Sequence, residues 1–74
     1  MIEEEEELET EEDRKNDDWL KKHFIEMVQK YPRQWIAVLE RNVIAVGATR
    51  AEVELRAEEI AGEREYSVYF IPQT

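Results

Sequence analysis

Few side chains in this sequence have the chemistry of a catalytic or metal-binding group. His23 is the only histidine, and Glu26, three residues later, would share one side of a helix with it. Two such ligands do not complete a zinc site, which normally takes three or four protein ligands. His23 also lies among apolar residues at helical spacing, and a histidine in such a position is more typical of a packing residue at the edge of a hydrophobic core. We therefore predict no metal site.

The other reactive residue types also lack the partners that catalysis needs. Ser67 is the only serine, and no histidine lies near it in the sequence. Glu58, Glu59, Glu63 and Glu65 lie among arginines, which favours solvent-exposed ion pairs over a general acid and base. Two glycines are too few for a phosphate-binding loop, and the absence of cysteine excludes thiolate chemistry and disulfides. The prediction is a protein that is not an enzyme and uses no cofactor.

The acidic residues are concentrated at the N-terminus. The 74 residues have a formal net charge of -9, yet residues 1–18 contain 11 acidic and 2 basic side chains, while residues 19–74 contain 8 of each. Residues 1–17 include only two large apolar side chains, Ile2 and Leu8, so we predict a disordered acidic tail there. A folded domain is then expected over residues 18–74. The negative field opposes direct binding of nucleic acid.

The composition also indicates a compartment. The longest apolar run, residues 35–39, is too short to cross a bilayer, and the mean hydropathy is -0.74. Met1 and Ile2 lead directly into glutamates instead of the basic and apolar regions of a signal peptide. We expect a cytoplasmic protein without membrane contact. The 39% of charged residues is compatible with a thermophilic source.

An amphipathic pattern predicts a first helix over residues 18–31. Its apolar side chains recur at helical spacing on one stripe: Trp19, Leu20, His23, Phe24, Met27, Val28 and Tyr31. Asn16, Asp17 or Asp18 would cap its start, and Pro32 follows its end.

The remaining residues predict a hairpin, a second helix and a third strand. Residues 34–39 and 43–47 read as two strands, with Asn42 expected to adopt positive φ in the turn. Thr49 and Glu52 form a capping box for a helix that reaches about Ala61, where Gly62 would stop it. Residues 66–71 form the last strand. The predicted fold is α+β, helix-strand-strand-helix-strand, with a three-stranded sheet in the order 2-1-3, a split β-α-β unit.

Both faces of the first two strands are apolar, so both must be covered. Either the two helices lie on opposite faces, or both lie on one face and another chain covers the second. About 56 residues make a marginal core, which self-association commonly supplements. We therefore expect a homodimer formed through a sheet edge or a sheet face.

The segment from Trp35 to Pro72 resembles a family of short archaeal and bacterial proteins of unknown function. The resemblance rests on the sequence WIAVLERNVIAVG, followed by an amphipathic helix and an aliphatic strand that ends near proline. Family members usually have a pair such as Asp-Gly at the hairpin, where this chain has Glu40, Arg41 and Asn42. The resemblance implies a fold and no activity.

Two functions follow from these features. The first is a small interaction module that binds a protein partner or a second copy through an exposed sheet edge or face. The second is a regulatory protein whose acidic arm binds a basic protein, as an antitoxin or a mimic of nucleic acid would. The residues predicted to make these contacts are Trp19, Trp35, Tyr69 and Ile71 in the domain, and Glu3, Glu4, Glu5, Glu6 and Glu7 in the arm.

Overall fold

The computed structural model describes residues 10–73 of the chain. Within that range the elements are α1 (Glu11–Lys22), α2 (Phe24–Lys30), β1 (Gln34–Leu39), β2 (Asn42–Gly47), α3 (Arg50–Ala61) and β3 (Ser67–Ile71). The predicted α+β class is confirmed.

The three strands form one antiparallel sheet in the order β2-β1-β3, as predicted. β1 is the central strand and runs antiparallel to both neighbours, with Ile36 opposite Val46 on one side and Tyr69 on the other. β2 and β3 therefore point in the same direction across β1, which is the split β-α-β arrangement. The β1–β2 register shifts at a bulge between Ala37 and Val38.

Helices cover both faces of the sheet, so the structure agrees with the first of the two arrangements allowed by the sequence. On one face, Met27 and Val28 of α2 pack against fully buried side chains of the strands, which are Ile36, Val38 and Ile71. On the other face, Val53 and Ala57 of α3 pack against Ala37 and Ala45. The alternation of side chains along β1 sends its apolar residues into both cores.

The first helix differs from its predicted form in two respects. It begins at Glu11, seven residues before Asp18, because Thr10 caps it by accepting a hydrogen bond from the backbone N–H of Asp13 at 3.1 Å. It is also interrupted at His23, whose φ of -112° and ψ of 18° leave the helical region. Residues 11–17, assigned to the tail from composition, are helical in this structure, while the predicted disorder of residues 1–9 lies outside the described residues.

The hairpin turn also differs from the prediction. Positive φ angles occur at Glu40 (51°) and Arg41 (63°), and Asn42 is the first residue of β2. Two central residues with positive φ are what a type I′ turn requires, since its twist matches that of the flanking strands. The Asn42 side chain supports this turn by donating to the Glu40 carbonyl at 3.0 Å.

The ends of α3 agree with the predicted signals. The Thr49 hydroxyl accepts from the backbone N–H of Glu52 at 3.2 Å. The Glu52 carboxylate accepts in return from the N–H of Ala48, also at 3.2 Å. At the other end, Gly62 adopts a φ of 65° and donates its N–H to the Glu58 carbonyl.

Candidate functional site

With both faces covered, the sheet presents its two outer strands, β2 and β3, at its edges. The β2 edge is tied to α3, because the guanidinium of Arg56 donates to the carbonyl of Val46 at 2.6 Å. Arg56 is itself paired with Glu52 at 2.9 Å. This side-chain contact occupies a backbone acceptor that an added strand would otherwise use.

The backbone N–H and C=O groups of successive residues in β3 point alternately toward the central strand and away from it. The Ile71 carbonyl accepts from the backbone N–H of Arg33 at 2.8 Å, so the backbone of Ile71 faces the chain that leads into β1. In an antiparallel strand the next residues alternate in direction. The N–H and C=O groups of Phe70 and Val68 therefore point away from β1. Among residues 10–73, no side chain forms a hydrogen bond with these outward groups.

The outer edge of β3 lies in a groove between α1 and α3. The groove has a volume of about 560 Å³, within the usual range of about 300–1,000 Å³ for binding sites. Most of its lining comes from three elements, with Asp13 and Asp17 of α1, Arg50 and Glu54 of α3, and Val68 and Tyr69 of β3, and Tyr66 adds to it just before β3. An unpaired strand edge thus runs along the groove with charged side chains on both sides.

The side of the groove formed by Asp13 and Asp17 of α1, its acidic wall, is aligned with β3 by two hydrogen bonds. The Ser67 hydroxyl donates to the carboxylate of Asp13, and the Tyr69 hydroxyl donates to the carboxylate of Asp17. Ser67 and Tyr69 are two residues apart and share one face of the strand, while the two aspartates are four residues apart and share one side of α1. Both carboxylates are therefore held beside the strand edge.

The Tyr69 phenol is affected by this environment. Burial raises the pKa of Tyr69 far above its usual value of about 10, and the hydrogen bond to Asp17 raises that pKa further. Tyr69 consequently stays neutral and keeps its hydroxyl hydrogen available to Asp17 throughout the physiological range.

The opposite wall is held by α3. Arg50 forms an ion pair with Glu54 at 2.9 Å and lies 5.9 Å from the centroid of the Trp35 ring. The Tyr66 hydroxyl donates to the backbone carbonyl of Glu54 at 3.5 Å. Burial is the main cause that raises the pKa of Tyr66, and the nearby carboxylates of Glu58 and Glu54 raise it as well.

Asn16 attaches α1 to the sheet and thereby positions the acidic wall. Its side chain is fully buried. Its amide nitrogen donates to the Val38 carbonyl at 3.3 Å and to the Ser67 hydroxyl at 3.1 Å. Its amide oxygen accepts from the backbone N–H of Arg41 at 3.2 Å. One polar side chain thus connects α1 with the central strand, the hairpin turn and β3.

The predicted contact residues of the domain are not gathered into one surface. Trp19 is half-buried and stacks on His23 with ring centroids 4.8 Å apart. Trp35 is half-buried on the α3 face beside Phe70. Tyr69 lines the groove, whereas Ile71 is fully buried in the core because its side chain shares the face of β3 that α2 covers. Glu3 to Glu7 lie outside the described residues.

His23 and Glu26, which were considered as metal ligands, make local contacts in this fold. His23 ends α1, and its Nδ1 lies 2.8 Å from the Trp19 carbonyl. Glu26 pairs with Lys30 at 3.1 Å. Within residues 10–73, no three histidine, aspartate or glutamate side chains converge as metal ligands would. Over the same residues, no helix combines the length and apolar character needed to span a bilayer.

Sequence reasoning missed Asp13, Asn16 and Asp17. Two local signals were present. Thr10 followed by Asp13 has the spacing of a helix start. Asn16 also lies one turn before Trp19 and Leu20 on the same stripe. The high density of acidic residues outweighed both signals.

A family model matches residues 26–74, about two thirds of the chain, and describes a family of unknown function, DUF5678. This chain belongs to that family. The expectation of a family of unknown function is thus supported, and the match begins at Glu26, so most of α2 lies within it. α1, with the acidic wall of the groove, lies outside the matched range. Neither the curated proteins nor the solved structures include a significant match to this chain.

Proposed function

We propose that this protein is an interaction module that binds an extended segment of a partner protein as a fourth strand beside β3. The observation that carries the proposal is the outward backbone of Val68, which lines the groove, continued by that of Phe70 further along the same strand edge. These groups are the donors and acceptors that strand addition uses for affinity, while neighbouring side-chain sites supply specificity. Natural proteins usually block such edges, so an edge enclosed by a lined groove favours binding.

A role without catalysis fits the groups that line the groove. The two aspartates accept hydrogen bonds from Ser67 and Tyr69, and Glu54 is paired with Arg50. The arrangement offers charge and backbone hydrogen bonds to a ligand. We accordingly propose a binding protein and not an enzyme.

The electrostatics of the groove favour a different protein over a second copy at this edge. A two-fold pairing of β3 with its own copy would bring two sets of Asp13 and Asp17 close to one another, and like charges repel. The homodimer predicted from the sequence would have to overcome that repulsion at β3. A homodimer formed through β2 would instead compete with the hydrogen bond from Arg56 to the Val46 carbonyl.

Amide hydrogen exchange measured by NMR on the full chain tests whether the edge is open. We expect the N–H groups of Val68 and Phe70 to exchange much faster than those of Ser67, Tyr69 and Ile71, because only the latter point toward β1. Equal protection of all five at every concentration would contradict an open edge. Protection of Val68 and Phe70 that grows with protein concentration would show a second copy at this edge and overturn the proposal of a different partner.

A selection of random displayed peptides on the full chain then tests binding. Selected peptides should protect the Val68 and Phe70 amides and lose about tenfold or more in affinity for Val68→Pro, which removes an outward N–H. Val46→Pro is the matched control at the other edge and should leave the affinity unchanged. Peptides that bind both variants equally, or protect other amides, would refute edge pairing.

A further inference from the structure

We infer that the strand accepted by β3 is cationic and carries basic side chains at two alternate positions that face α1. The inference rests on the proposed edge pairing and specifies its partner. It follows from the charge of the groove, the spacing of its carboxylates and the apolar surface on its other side.

The groove has an excess of negative charge. Among residues 10–73, its lining includes the carboxylates of Asp13, Asp17 and Glu54 and one cation, Arg50. Arg50 is paired with Glu54. The salt bridges formed within residues 10–73 do not include Asp13 or Asp17. A ligand in the groove therefore meets two carboxylates that form no salt bridge within that range.

The spacing of these carboxylates matches that of a strand. Residues four apart on a helix are separated by about 6 Å along its axis. Side chains two apart on a strand are separated by about 6.8 Å. The hydrogen bonds from Ser67 to Asp13 and from Tyr69 to Asp17 show that the helix and strand advance together here. A strand added beside β3 would place alternate side chains at the same interval along the two aspartates.

Each carboxylate retains the capacity to bind a cation. An ionised carboxylate has about four lone-pair sites, and the hydroxyl groups of Ser67 and Tyr69 use one site on each aspartate. Lysine or arginine side chains supply the additional donors. The same negative charge opposes phosphate groups, which selects a peptide over a nucleic acid.

The residue between the two basic positions would face the other side of the sheet. On that side lies Val68, an apolar residue of the groove lining, and beyond it Phe70, which is 49% exposed and lies beside Trp35 with ring centroids 5.4 Å apart. An apolar side chain on the added strand would cover part of this aromatic surface. The structure thus favours a basic-apolar-basic sequence in the partner.

Two synthetic peptides of identical composition test this pattern against the full chain by fluorescence anisotropy. The probe is Ser-Thr-Val-Lys-Val-Lys-Val-Thr-Ser, which places both lysines on one face of a strand. The control is Ser-Thr-Val-Lys-Lys-Val-Val-Thr-Ser, which places them on opposite faces. Because exposed ion pairs contribute modestly, we expect the probe to bind about three- to fivefold more tightly, with a larger difference at low salt.

Substitutions in α1 assign this preference to the aspartates. Asp13→Asn and Asp17→Asn keep an acceptor oxygen for the hydroxyl groups of Ser67 and Tyr69 while removing the charge. Each should weaken probe binding about threefold, and the double variant should bind the two peptides equally. Asp18→Asn, on the same helix but outside the groove lining, should leave both affinities unchanged.

The failures of the two proposals are distinguishable. If both peptides protect the Val68 and Phe70 amides but bind equally, or if the aspartate variants do not change the preference, the cationic pattern is wrong and edge pairing stands. If neither peptide protects these amides, edge pairing itself fails. If the Asp18→Asn variant keeps the full preference for the probe peptide, and the variant that combines Asp13→Asn with Asp17→Asn loses it, the inference is supported.

Discussion

Replacing Asn16 with alanine tests whether α1 belongs to the folded domain, since composition alone assigned Asn16 to a disordered tail. The substitution removes a fully buried side chain that bonds to Val38, Ser67 and Arg41. It also leaves their donors and acceptors without this partner in a region that α1 shields from water. We expect the Asn16→Ala variant to fold with much lower stability.

The magnitude follows from the number of hydrogen bonds. Each typical hydrogen bond contributes about 0.5–1.5 kcal/mol net, and buried groups that lose their partner add a desolvation cost. Three bonds together give a loss of about 2–4 kcal/mol. A domain of this size has a total free energy of unfolding of about 3–10 kcal/mol. The expected decrease in Tm is about 10–25 °C.

Urea unfolding followed by the fluorescence of Trp19 and Trp35 measures the effect. Asn42→Ala is the matched control, because Asn42 is exposed and donates one hydrogen bond, to the Glu40 carbonyl. It should lose less than about 1 kcal/mol. If Asn16→Ala loses no more stability than Asn42→Ala, then α1 does not depend on these contacts and the reasoning is refuted.

Three further substitutions test local features by urea unfolding. Tyr69→Phe should lose about 1 kcal/mol at neutral pH, because it removes the hydrogen bond from the Tyr69 hydroxyl to Asp17. Since the folded-state pKa of Tyr69 is raised, the stability that the hydroxyl confers is complete below about pH 10 and is lost as the pH rises further. The stability of the variant should therefore decline less than that of the unsubstituted protein between pH 9 and 11, and an identical decline would contradict this origin. Thr49→Ala should cost about 1 kcal/mol by removing the cap that accepts from Glu52, and an unchanged midpoint would show that the cap contributes nothing. At high salt, which screens the exposed ion pair between Glu40 and Arg64, Glu40→Asn should stabilise the hairpin by a few tenths of a kcal/mol, since asparagine tolerates positive φ better than glutamate. A loss of stability under that condition would disprove strain at this turn.

Much of the fold was predictable because it depends on local patterns. The strand boundaries follow from the contrast between apolar runs and turn residues. The start and end of α3 follow from Thr49, Glu52 and Gly62, whose hydrogen bonds or backbone angles involve near neighbours in sequence. The apolar residues on both faces of β1 required cover on both sides, and α2 and α3 provide it.

The candidate site was not predictable in the same way, because its contacts join residues far apart in the chain. Asp13 and Ser67 are 54 positions apart, and Asn16 and Ser67 are 51 apart. A criterion for disorder that counts apolar side chains gives no weight to a polar residue that is buried with all its partners. Nor does periodicity show which edge of a sheet another element will enclose.

The sequence by itself determined the three strands, the limits of α3 and the need to cover both faces of the sheet, because short-range spacing sets strand periodicity and the caps of that helix. Only the tertiary structure decided that α1 packs on the domain through Asn16, and that Asp13 and Asp17 stand beside the free edge of β3. The physical reason is that a buried polar contact forms only when folding brings its distant partners into hydrogen-bonding distance. The groove proposed as the binding site is a product of those contacts.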